Sequence, residues 1–323
     1  MRSHFLIGLA LGLATTVLAL HAQAQNYPNQ TIRILQGFPP GGNADTVARL
    51  IGNEMSKTLG QPIVVEARTG AGGTIASDAV SRAAADGYTL LLASGGHSVA
   101  GALYKQLPYK SVDGFSMIST ISFFPFILST RSDGKYSTLP QLLAADRQAP
   151  GIITYAAAGP GATQHLVGEL LASKSGAKLL YIPHRGDADS VRALMSGTVD
   201  MIITPGTAVL PHVQSGTFRA IAVTGPTRWA GLPNTPTVAE SGVQGYQVRS
   251  WLGLAAPAAT PRPIIDRLNA ALQAALAVPE VRARLEQIGG EVRGGTPQEM
   301  RDLMVSEIAL WNALIDEAKI ERQ

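Results

Sequence analysis

Residues 31–55 fall into three consecutive pieces, TIRILQ, GFPPGG and NADTVARLIGNEM. The first is an apolar run with strand character. The last has helical spacing: Val47, Ile51 and Met55, continued by Leu59, recur every four residues with Leu50 beside them, which makes one apolar stripe. Between them, Gly37-Phe38-Pro39-Pro40-Gly41-Gly42 places two prolines and three glycines in six positions. Proline fixes φ and removes an N–H, while glycine lets the backbone turn sharply and approach a partner closely. A plain connector would do with less. A loop at a helix start that greets something small and negative with its main-chain N–H groups has a use for both. Asn43 or Gly42 can cap the helix, Asp45 suits the dipole in its first turn, and Gly60 ends it.

Strand and helix patterns alternate outward from this unit. QPIVVEAR (61–68) reads as a strand, TIASDAVSRAAADG (74–87) as a short helix, and YTLLLASGG (88–96) as a buried parallel strand. A long β-rich run, SMISTISFFPFILSTR (116–131), is interrupted by Pro125. A second group follows: a helix at 139–147, a strand at 153–159, a helix from Gln164 to Ser173, a strand at 179–184, a helix at 187–197 and strands at 199–205 and 218–225. YQVRSWLGLAAP (246–257) reads as another long strand. The C-terminal part is helical, with Ile264, Leu268, Leu272 and Leu276 again four apart and a last helix over 299–320.

Alternation of this kind implies α/β architecture with parallel sheets covered on both faces. Two groups joined by β-rich segments near 116–130 and 219–255 imply two lobes with a cleft between them. The expected division is 25–125 with 246–323 as the first lobe and 126–245 as the second. In open parallel sheets ligands collect at the C-terminal strand ends, where helix N-termini also point.

Residues 1–24 carry Arg2, an uncharged apolar stretch, and Ala22 and Ala24 at the positions a signal peptidase requires. They read as a secretory leader cleaved after Ala24, and the mature protein as a soluble periplasmic one. Of 26 basic residues the leader removes one, leaving 25 against 23 acidic. The near-neutral balance and the lack of any basic run give no support to nucleic-acid binding. Without cysteine the chain has no disulfides and no lipid-anchored N-terminus.

Six loops share the character of 37–42: also 69–73 (TGAGG), 94–97 (SGGH), 158–165 (AGPGATQH), 184–190 (HRGDADS) and 204–206 (TPG). All are expected on one rim, so Ser94 and Gly159 join the candidate ligand contacts. Neither GAGGTIAS nor GPGATQ completes G-x-G-x-x-G, and no P-loop, G-x-S-x-G elbow or H-E-x-x-H is present. The histidines beyond the leader, His97, His165, His184 and His212, show no metal spacing. No cofactor and no metal are expected. His165 reads as a cap or packing residue, Asp45 as a helix-terminus residue, and Phe123, Phe124 and Phe126 as core, with the lining of an apolar pocket as the alternative. Arg185 can grip a carboxylate in a bidentate fork.

The chain resembles the extracytoplasmic solute receptors of tripartite tricarboxylate transporters, the Bug-type binding proteins. The resemblance runs in order through YPNQTIRILQGFPPGGNADTVARLI, LGQPIVVEARTGAGGTIASDAV, AAADGYTLLLAS, TYAAAGPGATQHLVGELL, LMSGTVDMI, LPHVQSGTFRAIAVTG and LPNTPTVAESGVQGYQV. It implies a two-domain venus-flytrap fold that closes on a small carboxylate and delivers it to a membrane permease, without enzymatic turnover and as a monomer. It also implies ligand contacts from Phe38, Pro39, Pro40, Gly41 and Gly42, and from Gly161, Ala162, Thr163 and Gln164. Two departures stand out. Ala162 replaces a common serine, and Thr204 replaces a common aspartate, so at that position nothing attracts an ammonium or repels a second carboxylate. The expected ligand is a di- or tricarboxylate or an aromatic carboxylate; Thr204 and Arg185 suggest, more narrowly, an acid without an amino group that carries two carboxylates across an aromatic ring beside Phe38. The competing readings are a carboxylate sensor that reports to a signalling partner, and a periplasmic hydrolase using His97 with Ser98 or His165 with Thr163.

Overall fold

The computed structural model describes residues 27–159 and 161–323; the expected leader and its cleavage site lie outside the described residues. The opening unit forms as read: β1 (Ile32–Gln36), the loop, then α1 (Asn43–Leu59), whose Val47, Ile51, Met55 and Leu59 are buried and whose end is closed by Gly60 in the left-handed region. The cap position falls on Gly42, with no side-chain cap. β2 (Ile63–Ala67), α2 (Thr74–Ser81), β3 (Thr89–Ser94) and α3 (Gly95–Leu103) complete the first group. β1 pairs in parallel with both β2 and β3.

β4 (Phe115–Arg131) is a single strand of 17 residues that runs through Pro125. Its partners change there. From Phe115 to Pro125 it pairs antiparallel with β9 (Arg249–Pro257), and from Phe126 onward it pairs with β7 (Met201–Pro205) and β8 (Phe218–Val223). A proline without an N–H is tolerated because it sits where one ladder ends and the next begins. The second group comprises α4 (Leu139–Gln148), β5 (Thr154–Ala158), α5 (Thr163–Ser175), β6 (Leu180–His184), α6 (Asp187–Met195), β7 and α7 (Gly206–Gln214), with β5 parallel to β6 and β7. The chain then returns through β9 to α8 (Arg262–Ala277), α9 (Pro279–Gln287), the short β10 (Glu291–Val292) and α10 (Pro297–Glu317).

Two expectations need correction. The outer strands of each half are parallel, but β4 and β9 meet them antiparallel, so the sheet is mixed rather than mainly parallel. Long strands that cross from one group to the other must come back against the direction of the βαβ units. Residues 224–248, expected as part of a β-rich segment, carry only one isolated bridge, Val223 to Thr237. Pro226, Pro233 and Pro236 deny that stretch a regular ladder.

Candidate functional site

Side chains tie down both ends of the 37–42 loop. The Gln36 side-chain Oε1 accepts from the Phe38 N–H at 2.7 Å, and Asp45 accepts from the Gly41 N–H at 3.0 Å and from Arg49 at 2.9 Å. Burial alone would push the Asp45 carboxyl up; Arg49 and the Gly41 N–H outweigh it and hold the carboxyl below its usual range. Asp45 therefore shapes the loop from its place in the first turn of α1. Gly37 is required by close approach: a Cβ there would run into the backbone of Gly73.

A small hollow of about 40 Å³, open to solvent, lies beside this loop between the two halves of the sheet. Five helices start on it. Asn43 and Ala44 open α1, Ser94 caps α3, Thr163 and Gln164 open α5, Asp187 opens α6 and Pro205 caps α7. None of these five starts has a side-chain cap, whereas α4 and α10, elsewhere, are capped by Thr138 and Thr296. First-turn N–H groups without a cap are donors in need of a partner, and the helix dipoles add partial positive charge around the hollow.

Several side chains lining it are also uncommitted. Asn43 is 8 % exposed, Thr163 4 % and Ser250 2 %, yet among the described residues the Asn43 amide and the hydroxyls of Ser94, Thr163 and Ser250 make no hydrogen bond within the protein. None of these polar atoms is sealed from solvent, so each is open to a ligand entering the hollow. Phe38, Phe124, Phe126 and Leu252 form the apolar wall, with Phe124 and Phe126 edge to face at 5.7 Å. Phe124 and Phe126 are thus buried core residues, as expected, that also form the wall of this hollow. Phe123 lies apart, under Arg249 and Arg293.

The structure gathers five of the six rim loops on this hollow. The sixth, 69–73, lines an adjoining one with Gly37, Phe38 and Ser94. Pro39, Pro40, Gly41 and Gly42 face a third, larger hollow on the outer side of the loop, bounded by Asp187, Arg192 and His212. Gly159 and Gly161 shape the turn into α5, where the Gly159 carbonyl accepts from the Ala162 N–H at 3.0 Å, and Ala162 is fully buried at the cap position. Arg185 and Thr204 are not brought to the hollow. Arg185 is exposed and lines none of these three hollows, and Thr204 is fully buried with its hydroxyl unpartnered, so that Pro205 takes the wall position.

Sequence reading passed over Asp187, Asn43 as a wall residue, and Ser250. Asp187 is partly exposed, and its Oδ1 accepts from the Gln164 side-chain amide at 3.1 Å. Burial pushes this carboxyl up to about 6, against the lowering effect of Gln164. The available signal was an acidic residue at the first helical position of a rim loop.

The hydrolase constellation does not form. His97 is held by Ser77 Oγ at 2.8 Å and by the Ser111 carbonyl at 2.8 Å, which makes Nε2 the donor, and burial depresses it to about 4. The Ser98 hydroxyl points to the Met304 sulfur at 3.4 Å. His165 stacks on Tyr181 at 4.4 Å, as a packing residue.

Residues 47–320 match the model of the tripartite tricarboxylate transporter family receptor. The chain belongs to this family. Several solved structures share both fold and sequence with it, among them the following three. The periplasmic binding protein BugD superposes with a TM-score of 0.88 at 35 % identity, over 92 % of this chain and 100 % of its own. An R. palustris protein with adipate gives 0.87 at 33 % identity, over 91 % and 99 %. MatC from Rhodopseudomonas palustris with bound malate gives 0.84 at 34 % identity, over 90 % and 100 %. The protein is thus a two-lobed binding protein of the Bug type, in a family of solute receptors that work with tripartite permeases.

Proposed function

We propose that this family member captures a small organic carboxylate in the periplasm, after loss of residues 1–24, and passes it to the membrane permease of a tripartite transporter as a monomeric carrier. The observation that carries this reading is the convergence of five uncapped helix starts on one hollow with an apolar wall. Such a site supplies N–H donors and positive potential to a carboxylate without an arginine, while Phe38, Phe124 and Phe126 cover its carbon skeleton. Two relatives carry adipate and malate, which are small carboxylates of the class proposed.

The lobes we assign are 25–125 with 246–323, and 126–245. The hinge then falls at Pro125/Phe126, where β4 changes partners, and near Thr224–Val248. Loops from both lobes line the hollow, so closure adds contacts that the open form lacks and a ligand shifts the population toward closure. Isothermal titration against mono-, di- and tricarboxylates, aliphatic and aromatic, tests the reading. Saturable 1:1 binding of at least one acid, with a smaller radius of gyration in solution scattering, is the expected result. Folded protein that binds none of them overturns it.

A further inference from the structure

We propose that Asp187 makes this receptor selective for carboxylates that carry a hydrogen-bond donor, a hydroxyl or an ammonium, over plain acids of the same length. The inference rests on the carboxylate-binding reading above and names the ligand's second group. Every other uncommitted polar group on the central hollow can donate: the Asn43 amide, the Ser94, Thr163 and Ser250 hydroxyls, and the first-turn N–H groups. They suit a carboxylate. Asp187 is the exception on that wall, a group that only accepts when ionised.

Its surroundings leave it short of donors. Gln164 donates to Oδ1, and no other side chain among the described residues donates to Asp187. No Lys, Arg or His lies within salt-bridge distance of it among those residues; neighbouring Asp189 is the partner of Arg192 instead. Oδ2 faces Gly42 across the cleft, 3.8 Å from where a Cβ on that residue would sit, and Asp187 lines both the central and the outer hollow. A ligand carboxylate placed there would meet like charge at short range. A ligand hydroxyl or ammonium would fill the vacant acceptor with a charge-assisted hydrogen bond. This departs from the expectation based on Thr204, because the acidic group absent at that position is supplied from the neighbouring helix start.

Titration calorimetry on acids matched in length tests the assignment: succinate, L-malate and L-aspartate; adipate, 2-hydroxyadipate and 2-aminoadipate; benzoate, 4-hydroxybenzoate and 4-aminomethylbenzoate. In at least one set the wild type is expected to bind a donor-bearing acid tenfold or more tighter than the plain one. Asp187→Ala reduces that ratio to near one while keeping or improving affinity for the plain acid. Asp187→Asn, which retains an acceptor oxygen, keeps a hydroxyl preference and loses any ammonium preference. Equal affinities within every set that binds, or a preference that survives Asp187→Ala, overturns the assignment while the carboxylate reading stands. Absence of binding by every acid overturns both.

Discussion

Gly72, in the loop after β2, and Gly161, in the turn before α5, meet backbone to backbone: a Cβ on Gly72 would lie 2.6 Å from the Gly161 carbonyl carbon. The two loops belong to opposite lobes in the division proposed above, so this contact exists only while the lobes are together. The same side of the molecule brings Pro39 against Gly186, where an added Cβ would lie 3.0 Å from the proline ring. If the lobes close as proposed, glycines set the limit, because their missing side chains let two main chains touch.

Gly72→Ala is expected to weaken carboxylate binding at least tenfold by holding the lobes apart. Gly72 has φ +63°, so the substitution also carries about 1–2 kcal/mol of left-handed strain. Gly60→Ala separates the two effects, since Gly60 has φ +71° with nothing within 4 Å of an added Cβ. Both variants should lose similar thermal stability, and only Gly72→Ala should lose affinity. Equal affinities in calorimetry would remove the contact's role in closure.

Thr224 ties the crossing segments together. Its hydroxyl accepts from the Phe126 N–H and donates to the Val248 carbonyl, each at 2.8 Å, while its own N–H donates to the Phe126 carbonyl at 3.0 Å. The residue is fully buried. Thr224→Val keeps the shape and orphans two buried main-chain groups, at a cost of about 1–3 kcal/mol. If the hinge lies where proposed, the variant also samples wider openings, read as a larger ligand-free radius of gyration. A lower melting temperature with unchanged dimensions would place the hinge elsewhere.

The parts of the fold that sequence made legible are those with one dominant period. The four-residue stripe from Val47 to Leu59 and the continuous apolar run at Leu90–Ala93 each admit a single reading, because burial on one side or on both leaves a direct trace. Pro125 misleads, since a proline breaks a strand in general but not at a change of partner. Phe124 and Phe126 are ambiguous for a physical reason: the apolar wall of a hollow is built from the same residues as the core behind it. Asp187 was hidden behind Arg185 two positions earlier. Charge type alone pointed to the arginine, and only the turn geometry decides that the arginine faces solvent and the aspartate the cleft.

His97 is a structural residue with a pH signature. Its ring stacks on Tyr109 at 5.4 Å and meets Phe115 edge-on at 5.0 Å. Burial depresses it to about 4, below the unfolded value of about 6.5. The unfolded chain thus takes up a proton first on acidification. The stability due to neutral His97 is complete above pH 6.5 and is lost progressively as pH falls toward 4, by up to about 3 kcal/mol. His97→Ala is expected to cost about 2–4 kcal/mol at pH 7.5 and to flatten the acid limb of the stability curve. Chemical denaturation at pH 7.5 and 5 measures both, and an unchanged acid limb would contradict the assignment.

Asp187 reverses that sign and acts on closure. Burial in the cleft raises its carboxyl to about 6, above the value of about 3.9 expected if the proposed lobes part and water returns. A raised acid favours the closed form fully below pH 3.9, and that contribution is lost as pH rises through 6. The neighbours that could compensate are committed or distant: Gln164 already donates to Oδ1, Arg192 is taken by Asp189, and His212 lies on the outer hollow alone. The ligand-free protein should therefore be more compact at pH 5 than at pH 7.5, with a shift in closure of about 1–2 kcal/mol after allowance for solvent in the cleft. Asp187→Asn should hold the compact form at both pH values. Solution scattering on the two proteins reads the difference, and equal pH dependence in wild type and variant would mean that another group governs closure.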